Sequence, residues 1–314
     1  MKLALLADIH GNLNALRAVL AEIAAERPDY ILVAGDLVGD CPDPVAVLRL
    51  LQTLRVQVVR GNRDRDILRY HRGELPGWDR YKQMASMRWT AQQLGPAELD
   101  WLGGLPEQLS LIRRQDGGCD LVPERPLLES RADGTFVVPE VSPGWAGPDV
   151  RVVHGSPFHV YELLFGDHAK ADDWHRVERA LAAIPEQILV CGHTHEPWYE
   201  QVQGKLIVNP GSVGVHFNTS QAAEYALLLS DDHAADGRLE VQLRQVAYDI
   251  GMLLERYRDS GLLETGGIWG RSIIESILRG SNLSQDFIHF ALDRVRAAGL
   301  AGQPYIPDWL WDEA

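Results

Sequence analysis

The stretch Leu3-Ala4-Leu5-Leu6-Ala7-Asp8-Ile9-His10 constrains this chain more than any other. A short apolar run ends abruptly in a carboxylate and an imidazole two residues apart. A buried strand reads this way where it leaves its sheet. Residues two apart on an extended chain point the same way, so Asp8 and His10 can close on one ion. An ordinary strand-end turn, with Asp8 capping a helix, produces the same string. What separates the two readings is whether the pattern returns, and it returns four times.

Asn12 can cap a helix in which Leu13, Leu16, Leu20 and Ile23 repeat at helical spacing, until Pro28-Asp29 breaks it. Tyr30 to Ala34 is a second apolar run, ending in Gly35-Asp36, and Pro44 is placed to open a helix to about Leu51. Val56 to Val59 is a third run, ending in Arg60-Gly61-Asn62-Arg63-Asp64. Strand and helix alternate, which is the grammar of a parallel sheet covered by helices, and such sheets place their sites at strand C-terminal ends. Helical patterns continue from Arg65 to about Leu94, interrupted near Gly73 to Gly77, and again from Pro96; Leu109 to Ile112 reads as a strand. Val150 to Val153 ends in His154-Gly155, and Gln187 to Cys191 ends in Gly192-His193-Thr194-His195. Four closely spaced runs follow, Trp198 to Val202, Leu206 to Val208, Glu224 to Leu229 and Leu239 to Val246, and suggest a second sheet built by local pairing.

Three boundaries are expected: a core of residues 1–246, an insertion at about 116–148 rich in Gly, Pro and charge, and a helical extension over 247–314. The insertion reads as a hairpin over the site or as a surface loop. The extension carries Ile268-Trp269, Trp309 and Trp311 and is too apolar for a solvated linker, so it should pack on the core or on a second subunit, making a homo-oligomer possible through it.

The formal net charge of −14 argues against broad binding to nucleic acid or to an anionic membrane, though not against a locally positive pocket. No apolar run reaches the ~18 residues of a membrane span, and the first strand follows the N-terminus with no signal pattern, so a cytoplasmic location is expected. Cys41, Cys119 and Cys191 are odd in number and scattered, which suggests neither a disulfide framework nor a cysteine zinc site.

Asp8, His10, Asp36, Asn62, His154, His193 and His195 thus all fall at strand-to-loop exits. Core packing does not explain three Asp or Asn exits, then a His exit, then a paired His exit. His71, His159, His168, His175, His216, His233 and His289 have no such companions and are read as structural. D8-I-H10, G35-D36, G61-N62-R63-D64, V153-H154-G155 and G192-H193-T194-H195, in this order, resemble the signatures of the calcineurin-like metallophosphoesterases, over residues 1 to about 246. N209-P210-G211-S212-V213 is similar to a turn of the small bacterial and archaeal phosphodiesterase branch.

That resemblance implies an α/β fold of two facing β-sheets flanked by helices, a four-layer sandwich, here with a helical C-terminal extension. It implies two metals: Asp8, His10, Asp36 and His195 on the first, and Asp36, Asn62, His154 and His193 on the second, with Asp36 bridging. The implied ions are Mn, Fe, Zn, Ni or Co, with Mn favoured; imidazole and carboxylate together suit these better than Ca or Mg. Two Asp and two divalent ions with a bridging hydroxide leave about +1 in the site, a positive point that attracts phosphate. The implied activity is a metal-dependent phosphodiesterase acting by in-line attack of that hydroxide on a small phosphoester substrate, with Asn62, Arg63, Asp64 and His154 in catalytic roles. Gly35, Gly61 and Gly192 let the turns bend beside the metals.

One departure matters. Many relatives carry a histidine where this chain has Arg63, thought to assist the leaving group with the following Asp orienting it. Arginine grips phosphate oxygens but does not give up a proton. This shifts the expected substrate toward phosphodiesters, or esters with a good leaving group, unless Arg63 turns away and pairs with Asp64 or Asp66. The arginine after Gly-Asp that marks the protein serine/threonine phosphatases and dinucleoside tetraphosphatases is absent from Gly35-Asp36-Leu37-Val38-Gly39-Asp40. A phosphomonoesterase, a non-catalytic scaffold with an impaired metal site, and a nuclease are the alternatives; retained ligands oppose the scaffold and the net charge opposes the nuclease.

Overall fold

The first strand, β1 (Lys2–Leu6), is apolar on both faces, and each face has its own core to enter. Leu3 and Leu5 point between two sheets, while Ala4 and Leu6 pack under a layer of helices. The period of two along an extended chain produces this division. The computed structural model describes residues 2–54, 56–111, 129–130, 136–137, 148–166, 171–230 and 239–313.

Strand β1 pairs in parallel with β2 (Tyr30–Ala34), and β2 in parallel with β3 (Val56–Val59). The crossovers are α1 (Leu13–Glu26), capped by Asn12 Oδ1 on the Ala15 N–H at 3.1 Å, and α2 (Pro44–Gln52), opened by Pro44 as expected. Helices α3 (Asn62–His71), α4 (Ala85–Gln93) and α5 (Pro96–Gly104) complete the layer over the outer face. Next come β4 (Gln108–Leu111), the short strands β5 (Glu129–Ser130) and β6 (Phe136–Val137), β7 (Val150–Val153), α6 (Ala171–Ala182), β8 (Ile188–Val190), β9 (Pro197–Val202), β10 (Lys205–Pro210), β11 (Ala223–Ser230) and β12 (Leu239–Val246). The first sheet runs β12-β11-β1-β2-β3 and the second β5-β6-β4-β7-β8-β10-β9.

Leu32, Val59, Val152, Val190, Val208 and Leu228 fill the space between the sheets, and Val177 and Leu181 of α6, with Ile184 just after it, cover the outer face of the second. Two mixed sheets face to face with helices outside are the expected sandwich. One expectation is corrected: the four late strands do not form one sheet. Strands β9 and β10 join the second, but β11 enters the first, antiparallel to β1 with Ala4 opposite Leu227, and takes β12 with it. Hairpin pairing is local, whereas the choice of sheet is made by the apolar edge of β1. The expected insertion lies outside the described residues except for Pro148 and the antiparallel pair β5–β6, which extends the edge of the second sheet.

The tail forms α7 (Ile250–Asp259), α8 (Leu262–Arg279), α9 (Leu283–Ala297) and α10 (Asp308–Glu313). Leu253, Tyr257, Leu262, Ile273 and Ile277 pack against Cys41, Trp89 and Val215, beside the loops that leave the sheet. Ala291 and Val295 of α9 meet Leu310 and Trp311 of α10. Among the described residues, no helix is long and apolar enough to cross a membrane.

Candidate metal centre

Five of the seven strand-exit residues have left-handed backbone: Asp8 (φ 55°), His10 (52°), Asp36 (50°), His193 (70°) and His195 (59°). A side chain with a Cβ costs roughly 1–2 kcal/mol in that region. Such strain persists only where the surroundings impose it, and it gathers at functional sites. Here the loops are laced to one another. The Asp8 N–H donates to the Gly35 carbonyl at 3.0 Å, the His10 N–H to Asp36 at 2.9 Å and the Cys41 N–H to His10 at 2.8 Å. On the other side, the Gly192 N–H donates to the His154 carbonyl at 2.8 Å and the His193 N–H to Asp8 Oδ2 at 2.9 Å.

The side chains converge in two groups. Asp8, His10 and His195 offer one ligand atom each, all within 4.8 Å of one another; Asp36, His154 and His193 do the same. Asp36 connects the groups, with Oδ2 at 3.7 Å from His10 Nε2 and Oδ1 at 3.5 Å from His154 Nε2. Asn62 joins the second group, its Oδ1 at 2.9 Å from His154 Nε2. All seven sequence-derived ligand candidates therefore meet.

Three of the four imidazoles keep one nitrogen for the centre because the other meets a main-chain carbonyl, while Nδ1 of His10 makes no hydrogen bond and has the Asp40 carboxylate at ion-pair distance. Nδ1 of His154 lies 2.8 Å from the Ala34 carbonyl and Nδ1 of His195 lies 2.6 Å from the Val215 carbonyl. Nε2 of His193 lies 3.3 Å from the Tyr161 carbonyl, and Nδ1 of His10 lies 3.4 Å from Asp40 Oδ2. Fixing the ring through its second nitrogen is how proteins orient metal-binding histidines. Nε2 of His10 and Nε2 of His195 face each other at 3.1 Å, and the buried Asp8 Oδ1 has no hydrogen-bond partner. An orphaned buried carboxylate oxygen beside two facing imidazole nitrogens fits a cation, and the donor set suits a borderline divalent metal.

The electrostatics agree. Burial works against charge on His10, but Asp40, Asp8 and Asp36 outweigh it and hold its pKa up at about 10. Burial likewise opposes charge on His154, and Asp36 and Asp8 raise it to about 9. His193 goes the other way, to about 3, through burial and the positive charge of His154. Two imidazoles thus act as the cations of a site built around carboxylates.

Glycines give the loops room in two ways. Gly35 (φ 84°) makes a left-handed turn. Gly61 and Gly192 instead allow close approach: a Cβ on Gly61 would collide with the carboxylate and backbone nitrogen of Asp36, and one on Gly192 would lie 2.8 Å from Asp8 Oδ2.

Asp64 lies behind the centre rather than on the cavity wall. Its fully buried carboxylate accepts from the N–H groups of Gly61 (2.8 Å), Leu37 (3.0 Å) and Val38 (3.2 Å), and it does not line the cavity. It pins the start of α3 to the Asp36 loop. Arg63 lines the cavity, with its ion-pair partner Asp40 at 3.4 Å rather than Asp64 or Asp66. Its backbone N–H donates to Asp36 Oδ1 at 2.8 Å.

The cavity over the two groups measures about 540 Å³. Trp269 and Ile273 of α8, and Asn282, Gln285, Asp286 and His289 at the start of α9, line its far wall. Sequence reasoning missed this contribution of the tail and read His289 as purely structural. No signal local to those residues marks them, because only the packing of α8 and α9 brings them to the site. His71 bonds the Ala91 carbonyl at 2.9 Å, His159 and Tyr161 have ring centroids 5.3 Å apart, and buried His216 lies 3.0 Å from the Tyr248 hydroxyl. Exposed His175 on α6 also stands apart; His168 and His233 lie outside the described residues. The turn 209–213 does reach the site: Ser212 Oγ donates to the Asp8 carbonyl at 2.8 Å and accepts from the Val215 N–H at 2.9 Å.

Comparison with known proteins agrees with this geometry. Over 271 residues the chain is 24% identical to the uncharacterized protein MJ0912 of Methanocaldococcus jannaschii, spanning 81% of this chain and 90% of that one. A symmetrical bis(5'-nucleosyl)-tetraphosphatase of Buchnera aphidicola is 38% identical over 71 residues, or 22% of this chain and 26% of the enzyme. A metallophosphoesterase from Sphaerobacter thermophilus has the same fold, with a TM-score of 0.61 at 24% identity, covering 89% of this chain and 99% of that one. So does the hypothetical protein PH1004 from Pyrococcus horikoshii, with a TM-score of 0.63 at 20% identity, covering 89% and 98%. Residues 1–233 match the calcineurin-like phosphoesterase superfamily domain, and the chain belongs to that superfamily.

Proposed function

We propose that this protein is a phosphodiesterase that uses two divalent transition-metal ions, manganese favoured, to hydrolyse a small organic phosphodiester. The observation that carries the reading is the meeting of two ligand groups at Asp36 on the floor of a cavity of about 540 Å³. Asp8, His10, Asp36 and His195 would hold one ion, and Asp36, Asn62, His154 and His193 the other. Such ions polarise phosphoryl oxygens and lower the pKa of water.

The chain's own groups decide what is hydrolysed. Arg63 is the one lysine or arginine among the described residues lining the cavity. Its guanidinium can hold two non-bridging phosphate oxygens and cannot supply a proton. Asp36 takes the Arg63 N–H and so places the base of that side chain beside the centre. Burial keeps the centre out of bulk water, Asp8 and Asp36 being at most 2% exposed. A single fixed cation suits one phosphate with two organic arms better than a polyphosphate chain; the tetraphosphatase likeness spans only 22% of this chain. Monoester hydrolysis at the same centre is the alternative; in either ester a basic leaving alkoxide would take its proton from a group other than Arg63.

The experiment is turnover of bis-p-nitrophenyl phosphate and p-nitrophenyl phosphate by metal-free protein given manganese, with and without chelator. Chelator-sensitive cleavage faster on the diester is expected. Faster cleavage of the monoester favours the alternative. Absence of chelator-sensitive cleavage of either ester with Mn, Fe, Zn, Ni and Co contradicts both.

A further inference from the structure

Asp40 is a buried carboxylate, 2% exposed, that the mechanism above leaves unused. Burying a carboxylate is costly unless each oxygen finds a partner. Oδ1 accepts from the indole N–H of Trp269 at 2.8 Å. Oδ2 lies 3.4 Å from His10 Nδ1 and 3.4 Å from Arg63 Nη2. The backbone carbonyl of the same residue accepts from the Tyr257 hydroxyl at 2.6 Å. Trp269 is on α8 and Tyr257 on α7, so two helices of the C-terminal extension grip Asp40 by side chain and backbone. Gly39 (φ 144°) leaves the approach open, since a Cβ there would lie 3.1 Å from His10 Nδ1 and 3.4 Å from Arg63 Cγ.

His10 differs in this respect from the other three histidines of the centre. Their second nitrogens face main-chain carbonyls of the core. The second nitrogen of His10 makes no hydrogen bond; it faces a carboxylate at the ion-pair distance of 3.4 Å, and that carboxylate is held by the tail. A carboxylate behind a metal-binding imidazole fixes its tautomer and raises its basicity, and removing such a partner typically costs about 10–100-fold in metal affinity.

We infer that Asp40 is a positioning residue through which the C-terminal extension sets the affinity of the first metal position and the placement of Arg63. The inference rests on the proposed metal-centre reading and adds to it a reason for the tail to be part of the enzyme. Arg63 sits between the same carboxylate and the Trp269 ring, 5.9 Å from its centroid, so one contact governs both metal ligand and phosphate grip.

The test is titration of manganese into full-length, metal-free protein by calorimetry, comparing wild type with Asp40→Asn and Trp269→Phe. His193→Ala serves as the reference for loss of the other ion. The expected result for Asp40→Asn is a loss of about 10–100-fold in affinity for one ion only, and not the ion lost in His193→Ala. Trp269→Phe keeps the ring and removes the donor, and should weaken the same ion by about 2–10-fold, the worth of one hydrogen bond. The double variant should lose less than the product of the two effects. Wild-type affinities for both ions in folded Asp40→Asn and Trp269→Phe would overturn the inference while leaving the metal reading intact. Should Asp40→Asn fail to fold, the Trp269→Phe titration decides alone. Wild type binding no ion would overturn both.

Discussion

Arg63 stands where the resemblance leads one to expect a histidine, and its position on the cavity wall makes the exchange informative. A general acid is worth about 10²–10⁴-fold on a poor leaving group. In Arg63→His, the ratio of monoesterase to diesterase turnover should rise by about tenfold or more even if the new imidazole is only partly recruited. An unchanged ratio in a two-substrate assay would place Arg63 outside the chemistry. At Gly61 the constraint is steric: a Cβ meets both the carboxylate and the backbone nitrogen of Asp36. Gly61→Ala should therefore cost about 1–3 kcal/mol in chemical denaturation, as overpacking does. It should also weaken both ions, because it displaces the residue that faces both groups. Denaturation and metal titration at wild-type values would show that the loop can give way.

At the scale of elements, the turn between β10 and β11 supports the centre from behind. Ser212 holds the Asp8 carbonyl and the Val215 N–H, and the Val215 carbonyl in turn holds His195 Nδ1. Ser212→Ala leaves the buried Val215 N–H without a partner and takes one of two bonds from the Asp8 carbonyl, which keeps the Gly214 N–H at 2.9 Å; a loss of about 1–3 kcal/mol is expected, with weaker binding of the ion next to Asp8 and His195. A stability loss without a change in metal affinity would limit the turn to a structural role. This turn, like the strand exits, was legible in the sequence, because apolar runs ending in Gly, Asp, Asn or His announce both a sheet and what its tips carry. The sheet to which each late strand belongs was not legible. The runs from Trp198 to Val246 show period and pairing, but joining β11 to β1 depends on an edge more than two thirds of the chain away, Lys2 standing opposite Leu229. The far wall of the cavity was hidden for the same reason: Asn282, Gln285 and His289 are ordinary residues on an amphipathic helix until α8 and α9 fold back over the centre. Asp40 was not legible either: a second carboxylate four residues after Asp36 is an ordinary loop charge until Trp269 and Tyr257 of the tail close on it.

For the molecule as a whole, the metal centre should make stability depend on pH. Without metal, His10 titrates at about 10 and His154 at about 9, whereas in the unfolded chain both titrate near 6.5. Raised values mean that the folded state binds more protons, so this contribution is complete below pH ~6.5 and fades as pH rises through 9 and 10. Metal takes the place of those protons, and its affinity should climb over the same interval. The melting temperature of metal-free protein should fall from pH 7 to 10 more steeply than that of manganese-loaded protein; parallel slopes would contradict the assignment of His10 and His154 to the centre. Beneath all of this lies the claim that strand exits far apart in the chain hold two neighbouring ions across Asp36. Anomalous diffraction from manganese-loaded crystals, collected at the manganese edge, tests it most directly. The result expected is two peaks, one beside Asp8, His10 and His195 and one beside Asn62, His154 and His193, with Asp36 between them; no peaks, or peaks away from Asp36, would contradict it.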